Sequence, residues 1–382
     1  MEIYIHIPFC KKKCDYCDFL SAPAAETVMR RYVDALKEEI RQFEAPRPVS
    51  TVFIGGGTPS ILPGSWIGEI METLRHKFRV LPDAEISIEC NPGTADAGKL
   101  EEFRLAGINR LSLGLQSADD RDLRMLGRIH TWKQFLDIFR SARDAGFCNI
   151  NVDLMSGLPE QTAGSWEETL KKVLALQPEH ISAYSLIIEE GTPFYQRYHE
   201  DLVLREKGEE PSLLPSEEEE RRMYHRTEKI LAGAGYLRYE ISNYAREGFD
   251  CRHNTGYWTR EEYAGFGLGA ASLLGNARLK NTEDLGAYLR RYLDKEKNAA
   301  QPEKEILSRS EEISEAMFLG LRLIRGVEIR EVDRRYRTDI RDLYGKEIRQ
   351  LKEQELLAEE DGCLRLTGRG LDLANLVMGA FV

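Results

Sequence analysis

The 382-residue sequence lacks long apolar runs, an excess of basic residues, and any internal repeat or low-complexity tract. No segment approaches the roughly 20 apolar residues that cross a bilayer, and the N-terminus has neither the basic nor the apolar region of a secretory signal. A formal net charge of -11 disfavours broad, non-specific binding to nucleic acid. We therefore expect a cytoplasmic protein without a nucleic-acid partner.

Cysteine is scarce as well, and it is unevenly distributed. Of the seven cysteines, three lie within eight residues and the other four are scattered. In a reducing compartment a tight group of cysteines indicates metal or redox chemistry before it indicates disulfides. The scattered cysteines are Cys90, Cys148, Cys251 and Cys363.

The apolar pattern predicts short strands that alternate with helices. The expected strands are Glu2–Ile7, Thr51–Ile54, Glu85–Cys90, Asn109–Gly114, Asn149–Leu154 and His180–Ile187. The expected helices are Val28–Phe43, Ile67–Phe78, Ala97–Ala106, Thr131–Ala145 and Ser165–Leu176. This alternation is typical of an α/β fold, in which right-handed crossovers place helices over a parallel sheet. Six such units make a closed or a partial barrel, and the pattern does not distinguish the two.

The pattern changes near residue 200. Glu200–Glu220 is charged and contains two prolines, so it predicts an exposed connection. Ser216, followed three residues later by Glu219, predicts a capping box that opens a helix reaching Leu231.

A second charged stretch, Asp294–Glu305, predicts a weakly structured linker before the final segment. From Leu307 onward the order of three helices, a strand pair around Gly362 and a short apolar helix is typical of a winged-helix domain. Many winged helices bind DNA, but acidic residues at 359–361 occupy the wing, where basic residues would be needed. We therefore expect a packing or partner-docking module.

The strongest motif is Cys10-Lys-Lys-Lys-Cys14-Asp-Tyr-Cys17, directly after the first strand. Buried core cysteines on one helix face are disfavoured, because Pro8 and the surrounding charges leave no apolar stripe. A zinc site that includes His6 or a distant ligand is an alternative, although structural zinc favours paired cysteine knuckles; chance clustering is another. Thiolates are the ligands of iron–sulfur cubes, and three of them leave one iron open to an outside ligand. The motif therefore favours a [4Fe–4S] cluster.

Glycines and polar residues recur where successive strands end, which is where barrel sites are built. Gly55-Gly56-Gly57-Thr58 follows the second strand, and glycine lets backbone N–H groups approach a bound ligand closely. Taken singly, each polar residue is more often a surface or capping group than a ligand. Their recurrence favours a shared binding site. The polar residues at or beyond the next three strands are Glu89, Gln116, Arg128 and Asp153.

The cysteine spacing, with Tyr16 before the third cysteine, resembles the radical SAM superfamily. Longer strings narrow the resemblance, over essentially the whole chain, to the oxygen-independent coproporphyrinogen III oxidase family. These strings are Tyr-Ile-His-Ile-Pro-Phe-Cys, Gly-Gly-Gly-Thr-Pro-Ser, Glu-Cys-Asn-Pro-Gly-Thr, Gly-Leu-Gln-Ser and Asp-Leu-Met-Ser-Gly-Leu-Pro. The resemblance implies a partial (β/α)6 TIM-like radical SAM barrel at 1–230, an extension at 231–300 and a C-terminal winged-helix-like α+β domain at 301–382.

The resemblance also implies the cofactors. In that superfamily three cysteines hold a [4Fe–4S] cluster whose open iron chelates S-adenosyl-L-methionine (SAM), and the reduced cluster cleaves SAM to a 5′-deoxyadenosyl radical. The residues that match the cluster ligands are Cys10, Cys14 and Cys17. Those that match the cluster-bound SAM site are Tyr4, Gly56, Gly57, Thr58 and Glu89. Those that match a second SAM site in the oxidase are Gln116, Arg128 and Asp153.

Two departures separate the chain from the oxidase and match the haem chaperones (HemW) of the same family. Phe19 stands where the oxidase has a fourth motif cysteine, and only nine residues precede the first cysteine. A further string, His-Asn-Thr-Gly-Tyr-Trp at 253–258, matches the H-N-x-x-Y-W motif of the chaperones, which the oxidase lacks. The resemblance implies that His253, Tyr257 and Trp258 contact haem, with imidazole as an axial ligand and the aromatic rings against the porphyrin.

Two alternatives stay open at this motif. Without the resemblance, the residues favour a helix start that His253 or Asn254 caps and Trp258 anchors, because a single histidine near aromatic residues is usually structural. Cys251 is a rival axial ligand, since thiolate also binds haem iron.

The resemblance therefore implies a haem chaperone. Its cargo is haem, and its partners are haem-requiring acceptor proteins such as respiratory enzymes, with the membrane surface as one place of transfer. The alternative is an oxygen-independent coproporphyrinogen III dehydrogenase of porphyrin biosynthesis. A radical SAM enzyme that modifies RNA is disfavoured by the acidic balance. Productive SAM cleavage and a homodimeric state are left open.

Overall fold

Two sheets organise the part of the chain that the structure, a computed structural model, describes: residues 1–44, 47–296, 299 and 301–382. A 12-stranded sheet takes its strands from residues 2–306, and a 3-stranded sheet takes its strands from residues 327–366. Each sheet has a hydrophobic core of its own. None of the described helices has the length and apolar character needed to cross a membrane.

Six parallel strands form the centre of the large sheet, and each lies beside the strand before it in the chain. The strands are β1 Glu2–Ile7, β2 Val49–Gly56, β3 Val80–Cys90, β4 Arg110–Gln116, β5 Ile150–Ser156 and β6 His180–Ser185. The helices between and after them are α1 Glu26–Gln42, α2 Gly64–Lys77, α3 Ala97–Leu105, α4 Asp120–Met125, α5 Trp132–Asp144, α6 Ala163–Leu174 and α7 Pro193–Glu206. Parallel neighbours require such crossovers. The expected partial (β/α)6 barrel is confirmed.

Side chains along these strands alternate between two faces, as the pleat requires. One face carries apolar residues such as Ile5, Val52 and Ile88, which belong to the core that the helices cover. The opposite face, here called the lumen face, is unusually polar. Its residues include Glu2, Tyr4, His6, Thr51, Phe53, Glu85, Ser87, Glu89, Arg110, Ser112, Asn151, Asp153, His180 and Ser182.

The central sheet is open, and later elements extend both of its edges. The elements beyond β6 are α8 Glu217–Gly233, β7 Leu237–Arg238 and β8 Asn243–Ala245, and β8 pairs with β6. Next comes α9, Arg252–Trp258, which leads to β9, Tyr263–Phe266, parallel to β1. The remaining elements on that side are β10 Ala271–Leu274, β11 Ala277–Lys280, α10 Leu285–Tyr292 and β12 Glu303–Ile306. The chain through α9 therefore connects the two edges of the partial barrel.

The C-terminal segment has the element order of a winged helix. Its elements are α11 Arg309–Gly320, β13 Val327–Glu328, α12 Ile329–Tyr336, α13 Ile340–Glu353, β14 Leu357–Glu360, β15 Cys363–Leu366, α14 Gly368–Asp372 and α15 Ala374–Gly379. The wing is the β14–β15 hairpin, whose turn residues Asp361 and Gly362 have φ values of 52° and 81°. Positive φ at both turn positions suits a two-residue hairpin. The expected winged-helix-like α+β domain is confirmed.

The expectation of an exposed connection at Glu200–Glu220 is wrong in part, because only residues 207–216 connect two helices and the two ends of the range are helical. Helix α7 continues through Glu206, and the carboxylate of the buried Asp201 accepts the backbone N–H groups of residues 212–214. Ser216 does cap α8, but Glu219 does not complete a capping box. Its carboxylate accepts the backbone N–H of Ala163 instead, because α8 packs beside α6.

The expectation for Asp294–Glu305 is wrong in part. Glu303–Ile306 forms β12, which pairs with β11 in an antiparallel register, so this portion is ordered sheet edge. Residues 297, 298 and 300 lie outside the described residues, and so does the predicted domain boundary at residue 300. The predicted division at residue 230 stays a prediction, with strands from both sides of it in the same sheet.

Candidate functional site

The cysteine motif lies in the loop after β1, and neighbouring elements fasten this loop from several sides. The backbone N–H of Cys10 donates to the carbonyl oxygen of Ala22 at 3.2 Å. The N–H of Asp15 donates to the carbonyl of Leu126 at 3.2 Å, and the N–H of Phe194 donates to the carbonyl of Asp15 at 3.0 Å. The loop therefore contacts both the segment after β4 and the start of α7.

The three motif thiols lie near one another without converging on a point. Cys10 is buried, while Cys14 and Cys17 are partly exposed. Burial raises the pKa of the Cys17 thiol, and the nearby Cys14 and Cys10 raise it further. Among the described residues, no three His, Cys, Asp or Glu side chains meet closely enough to hold one metal ion. Three thiolates on one short loop can each bind a different iron of a [4Fe–4S] cluster, which leaves the fourth iron open.

His6 is not open to serve as a fourth ligand of a zinc site. Its Nε2 lies 2.9 Å from the carbonyl oxygen of Leu20, and its Nδ1 lies 3.0 Å from the hydroxyl of Tyr4. The carbonyl can only accept, so Nε2 carries the proton and Nδ1 accepts from Tyr4. This arrangement disfavours the zinc alternative.

The glycine run after β2 packs tightly against the protein's own groups. Gly56 has a φ of 115°, and a Cβ there would lie 2.7 Å from the ring of His6. A Cβ on Gly57 would lie 3.0 Å from the Sγ of Cys10, and the hydroxyl of Thr58 lies 3.4 Å from the same sulfur. These contacts show that the glycines are needed for packing within the protein and not only to make room for a ligand. They first allow the cysteine loop and His6 to pack against the strand end.

Glu89 lies near the end of β3, next to the glycine run. Its Oε2 accepts the backbone N–H of Gly56 at 3.1 Å. Burial, followed by the nearby Asp153 carboxylate, raises the pKa of Glu89 to about 8. Burial also raises the pKa of Asp153, whose oxygens accept from Ser112 at 2.9 Å and Asn151 at 2.7 Å. Two carboxyl groups with raised pKa values on one lumen face indicate a functional site.

The end of β4 adds strain and a positive charge. Gln116 has a φ of 74°, a left-handed conformation that costs energy outside glycine, and it coincides with a register shift between β4 and β5. The guanidinium of Arg128 donates to the carbonyl of Gly114, and its Nη1 lies 3.7 Å from the Sγ of Cys14. The structure thus brings the predicted SAM residues and the cysteine loop together at the carboxyl ends of the parallel strands.

The H-N-x-x-Y-W motif lies at the opposite end of the barrel, where it forms α9. His253 is 1% exposed, its Nδ1 lies 2.7 Å from the hydroxyl of Thr51, and its Nε2 lies 3.1 Å from the hydroxyl of Tyr257. Burial, and then the charge of Arg110, lowers the pKa of His253 to about 3. An imidazole with both nitrogens engaged is closed to haem iron in this structure. The assignment of His253, Tyr257 and Trp258 to haem stays a prediction.

Cys251, the rival axial ligand, is equally closed. It is fully buried, its Sγ lies 3.6 Å from the carboxylate of Glu85, and burial raises the pKa of its thiol to about 12. The same carboxylate accepts the backbone N–H groups of Arg252 and His253. The expected capping of this helix by His253 or Asn254 is therefore wrong, because Glu85 of β3 satisfies the helix start from across the lumen.

Trp258, the last residue of α9, joins the barrel to the C-terminal domain. The guanidinium of Arg322 lies 4.2 Å from the centre of its ring. Arg260, just beyond α9, is buried and forms ion pairs with Glu312 and Glu315 of α11. The motif thus lies between the barrel and the C-terminal domain, with His253 and Gly256 buried.

The sequence analysis did not identify the buried polar network of the lumen face. His180 Nδ1 lies 2.6 Å from the amide oxygen of Asn151, and its Nε2 lies 2.9 Å from the hydroxyl of Tyr239. Arg110 is also buried, at 2% exposure. The signal was present, because polar and apolar residues alternate along β3 to β6 with the period of a strand. That alternation predicts a polar lumen.

Comparison with known proteins gives agreeing results. The profile of the Radical SAM superfamily matches residues 4–173, and that of the HemN C-terminal domain matches residues 307–373. The protein named Heme chaperone HemW in Lactococcus lactis is 35% identical over 383 residues, 99% of this chain and 96% of that protein. Its counterpart in Bacillus subtilis is 36% identical over 99% of this chain and 98% of that protein.

A solved structure gives the same architecture. The structure titled "Coproporphyrinogen III oxidase (HemN) from Escherichia coli is a Radical SAM enzyme" matches with a TM-score of 0.84 and 26% identity, covering 100% of this chain and 89% of that chain. The bovine protein named Radical S-adenosyl methionine domain-containing protein 1, mitochondrial, is 31% identical over 98% of this chain and 86% of that protein. Because the matches extend over its whole length, the chain belongs to the HemW family within the radical SAM superfamily.

Proposed function

We propose that this chain is a haem chaperone that holds a [4Fe–4S] cluster and SAM in its barrel, binds haem as cargo and delivers it to haemoproteins in the cytoplasm. The observation that carries the proposal is the full-length similarity to proteins named Heme chaperone HemW, at 35% and 36% identity. Respiratory enzymes at the membrane surface are among the acceptors that we propose.

The cluster site in this proposal consists of Cys10, Cys14 and Cys17. The loop that carries the three thiols follows the buried end of β1, where Ile7 is 0% exposed and Phe9 is 2% exposed. When bound, the cluster supplies an electron and one open iron for SAM. The Nη1 of Arg128 donates a hydrogen bond to the Cys14 sulfur at 3.7 Å, which helps to position this ligand.

The SAM site in this proposal lies beside the cysteine loop. Glu89 accepts a ribose hydroxyl or offsets the positive sulfonium, since burial gives its carboxyl a strong preference for a positive partner. Tyr4 and the Gly56–Thr58 turn form the adjacent wall, and Asp153 with Gln116 lies across the lumen.

The coproporphyrinogen III dehydrogenase alternative has weaker support. Phe19 replaces the fourth motif cysteine of that enzyme, and the identity to the solved oxidase is 26%, below that to the chaperones. We therefore expect this chain to leave coproporphyrinogen III unconverted.

The test uses protein reconstituted anaerobically with iron, sulfide and SAM. Haem should shift its Soret band on binding, and the haem-loaded protein should restore the spectrum of an added apo-haemoprotein. Under the same reducing conditions no protoporphyrinogen IX should form. Decarboxylation at an enzymatic rate, on the order of 1 s⁻¹, would replace the chaperone by the dehydrogenase.

A further inference from the structure

We propose that the C-terminal domain is a latch on α9, and that haem reaches the motif at 253–258 only when this domain moves away from the helix. The inference rests on the proposed chaperone function and on the predicted contact between His253 and haem. It adds the element that controls access to this contact. The latch consists of four side chains that join the end of α9 to α11 and α12: Arg260, Glu312, Glu315 and Arg335.

His253 has to change its surroundings before it can bind an iron atom. It is 1% exposed, and its two ring nitrogens lie 2.7 Å from the hydroxyl of Thr51 and 3.1 Å from the hydroxyl of Tyr257. A porphyrin is much wider than one side chain, so rotation of Tyr257 alone does not make room for it. A Cβ on Gly256 would overlap the carboxylate of Glu2, so α9 already packs tightly against β1. Access to the imidazole therefore requires α9 to move outward from the barrel.

The C-terminal domain holds the chain just beyond α9. Arg260 is 4% exposed, and its guanidinium donates to Glu315 at 2.9 Å and to Glu312 at 3.2 Å. The guanidinium of Arg335 donates to the backbone carbonyl oxygens of Thr259 and Arg260 at 3.0 and 2.7 Å. These bonds fix the end of the helix for as long as the domain stays in place.

The domain also holds the chain before α9 and the last residue of the helix. The backbone N–H of Ile241 donates to the carbonyl of Arg322 at 3.1 Å, and that of Ile324 donates to the carbonyl of Tyr239 at 3.0 Å. The guanidinium of Arg322 lies 4.2 Å from the centre of the Trp258 ring. Because the domain contacts the helix end and the chain on both sides of it, an outward movement of α9 requires a movement of the domain.

Unpaired polar atoms and backbone strain at this contact favour its opening. Trp258 Nε1, Arg260 Nη2 and Arg322 Nε are buried and have no hydrogen-bond partner in the part of the chain that the structure describes. Each such atom costs free energy in the closed form. Arg260 also has a φ of 56°, a left-handed conformation that persists in a residue other than glycine only where its surroundings hold it. Opening relieves both costs, because water or a ligand then reaches these atoms.

The groups that opening releases suit haem. All three unpaired atoms are N–H donors, which the carboxylates of the haem propionates require. Trp258 adds a flat apolar ring that can cover a porphyrin face. Glu240 lies 3.5 Å from Arg322 and offsets its charge, so Arg322 contributes directed N–H groups more than net charge.

A latch has a consequence that distinguishes it from a purely structural contact. A ligand that binds only the open form has an apparent Kd equal to its intrinsic Kd divided by the open fraction. Weakening the latch raises that fraction, so a variant that loses stability should gain haem affinity. Damage to a structural contact would lower stability and affinity together.

The experiment uses full-length protein reconstituted with cluster and SAM, and follows haem binding by the Soret difference spectrum. Glu312→Gln with Glu315→Gln removes the charges that hold Arg260, and it also frees Arg278 from Glu315. The double variant should bind haem about fivefold more tightly and at a higher rate, while its melting temperature falls. Hydrogen exchange should show less protection of the backbone amides of α9.

A milder variant and a matched control accompany the double variant. Arg335→Gln replaces an exposed side chain, so the protein should fold normally and gain about twofold in haem affinity. Glu69→Gln breaks ion pairs with Arg30 and Lys37 within the barrel, far from α9 in the fold, and should bind haem as the wild type does.

A third substitution tests whether the latch acts on His253. Adding His253→Gln to the double variant should remove the gain in affinity, because glutamine is a poor ligand for haem iron. A gain that persists in this triple variant, or unchanged or weaker haem binding in both latch variants with normal iron content, would overturn the latch. If the wild type and the latch variants all fail to bind haem, the chaperone function itself is refuted.

Discussion

The two ends of the barrel carry the same kinds of polar side chain and differ in what those side chains contact. At the amino end, the imidazole of His253 and the carboxylate of Glu85 are bonded on every side by Thr51, Tyr257 and the start of α9. At the carboxyl end, Glu89 makes one backbone hydrogen bond and its pKa rises to about 8. Groups that are hydrogen-bonded on every side stabilise a fold, while a buried carboxyl group with few partners and a raised pKa is a candidate for binding a ligand.

A stack of aromatic rings connects the two ends through the lumen. The ring centres of Tyr4 and Phe53 are 6.4 Å apart, and those of Phe53 and His253 are 5.2 Å apart. The stack therefore separates the carboxyl end of the barrel from the amino end, where His253 lies. Catalytic and binding residues of parallel barrels lie at the carboxyl end, and the amino end serves stability. The following substitutions test whether this division holds here.

The largest effect is expected at the carboxyl end. Cys10→Ala, Cys14→Ala and Cys17→Ala should each abolish the cluster, since each removes the only protein ligand of one iron. Anaerobically reconstituted wild type should contain about four irons and four sulfides per chain, with an EPR signal that changes when SAM is added. Cys148→Ala, at an exposed position, is the control and should retain the full iron content. Stoichiometric zinc in the wild type would contradict this assignment.

The next effect belongs to the amino end. Glu85→Ala removes the acceptor of the buried N–H of His253 and of the partly buried N–H of Arg252, so we expect a loss of about 2–4 kcal/mol in the free energy of unfolding. Urea denaturation measures this loss. Glu85→Gln retains an acceptor and should lose less. Iron content should be normal in both variants, and failure to reconstitute the cluster would show that the two ends are not separable.

A pH titration should distinguish the ends again. Glu89 is protonated below a pKa of about 8, and a positively charged ligand prefers its carboxylate. SAM affinity should therefore rise with pH, by up to about tenfold per unit below pH 8, and level off above it. Isothermal titration from pH 6 to 9 measures this slope. Glu89→Gln should bind SAM more weakly and with a flatter profile; the same slope in that variant would assign the titration to Asp153.

The smallest effect is the contribution of His253 to acid sensitivity. Its folded-state pKa of about 3 lies below the ordinary value of 6.5, so between these values the unfolded chain binds the extra proton. The contribution of His253 to stability is fully present above pH 6.5 and is lost as pH falls, by about 1.4 kcal/mol per unit at most. Burial also lowers the pKa values of His130 and His180, so these histidines add to the loss of stability at acid pH. Comparing wild type with His253→Gln at pH 7 and pH 5.5 isolates the contribution of His253, and equal pH dependence of the two proteins would contradict it.

Much of the fold was readable along the chain because strands and helices follow local periodicity. The first strand was predicted at Glu2–Ile7 and is found there. In the C-terminal segment the three helices and the strand pair were predicted in the right order, but β13 and the division of the last helix into α14 and α15 were not predicted. The errors lie where distant contacts decide. In Glu200–Glu220, the carboxylate of Asp201 accepts the backbone N–H of Leu213 and so orders the charged segment. Glu303–Ile306 forms a strand because it pairs with β11.

The sequence by itself determined the chemistry of the cluster site, because the three cysteines and the glycine run are short strings whose spacing is local. It also determined the polar lumen, through an alternation of period two along β3 to β6. Only the tertiary structure decided which polar groups are open. His253 and Thr51 are 202 residues apart in the chain, yet their hydrogen bond encloses the H-N-x-x-Y-W motif. Accessibility depends on the crossing of α9 between two distant strand edges, and no local pattern records that crossing.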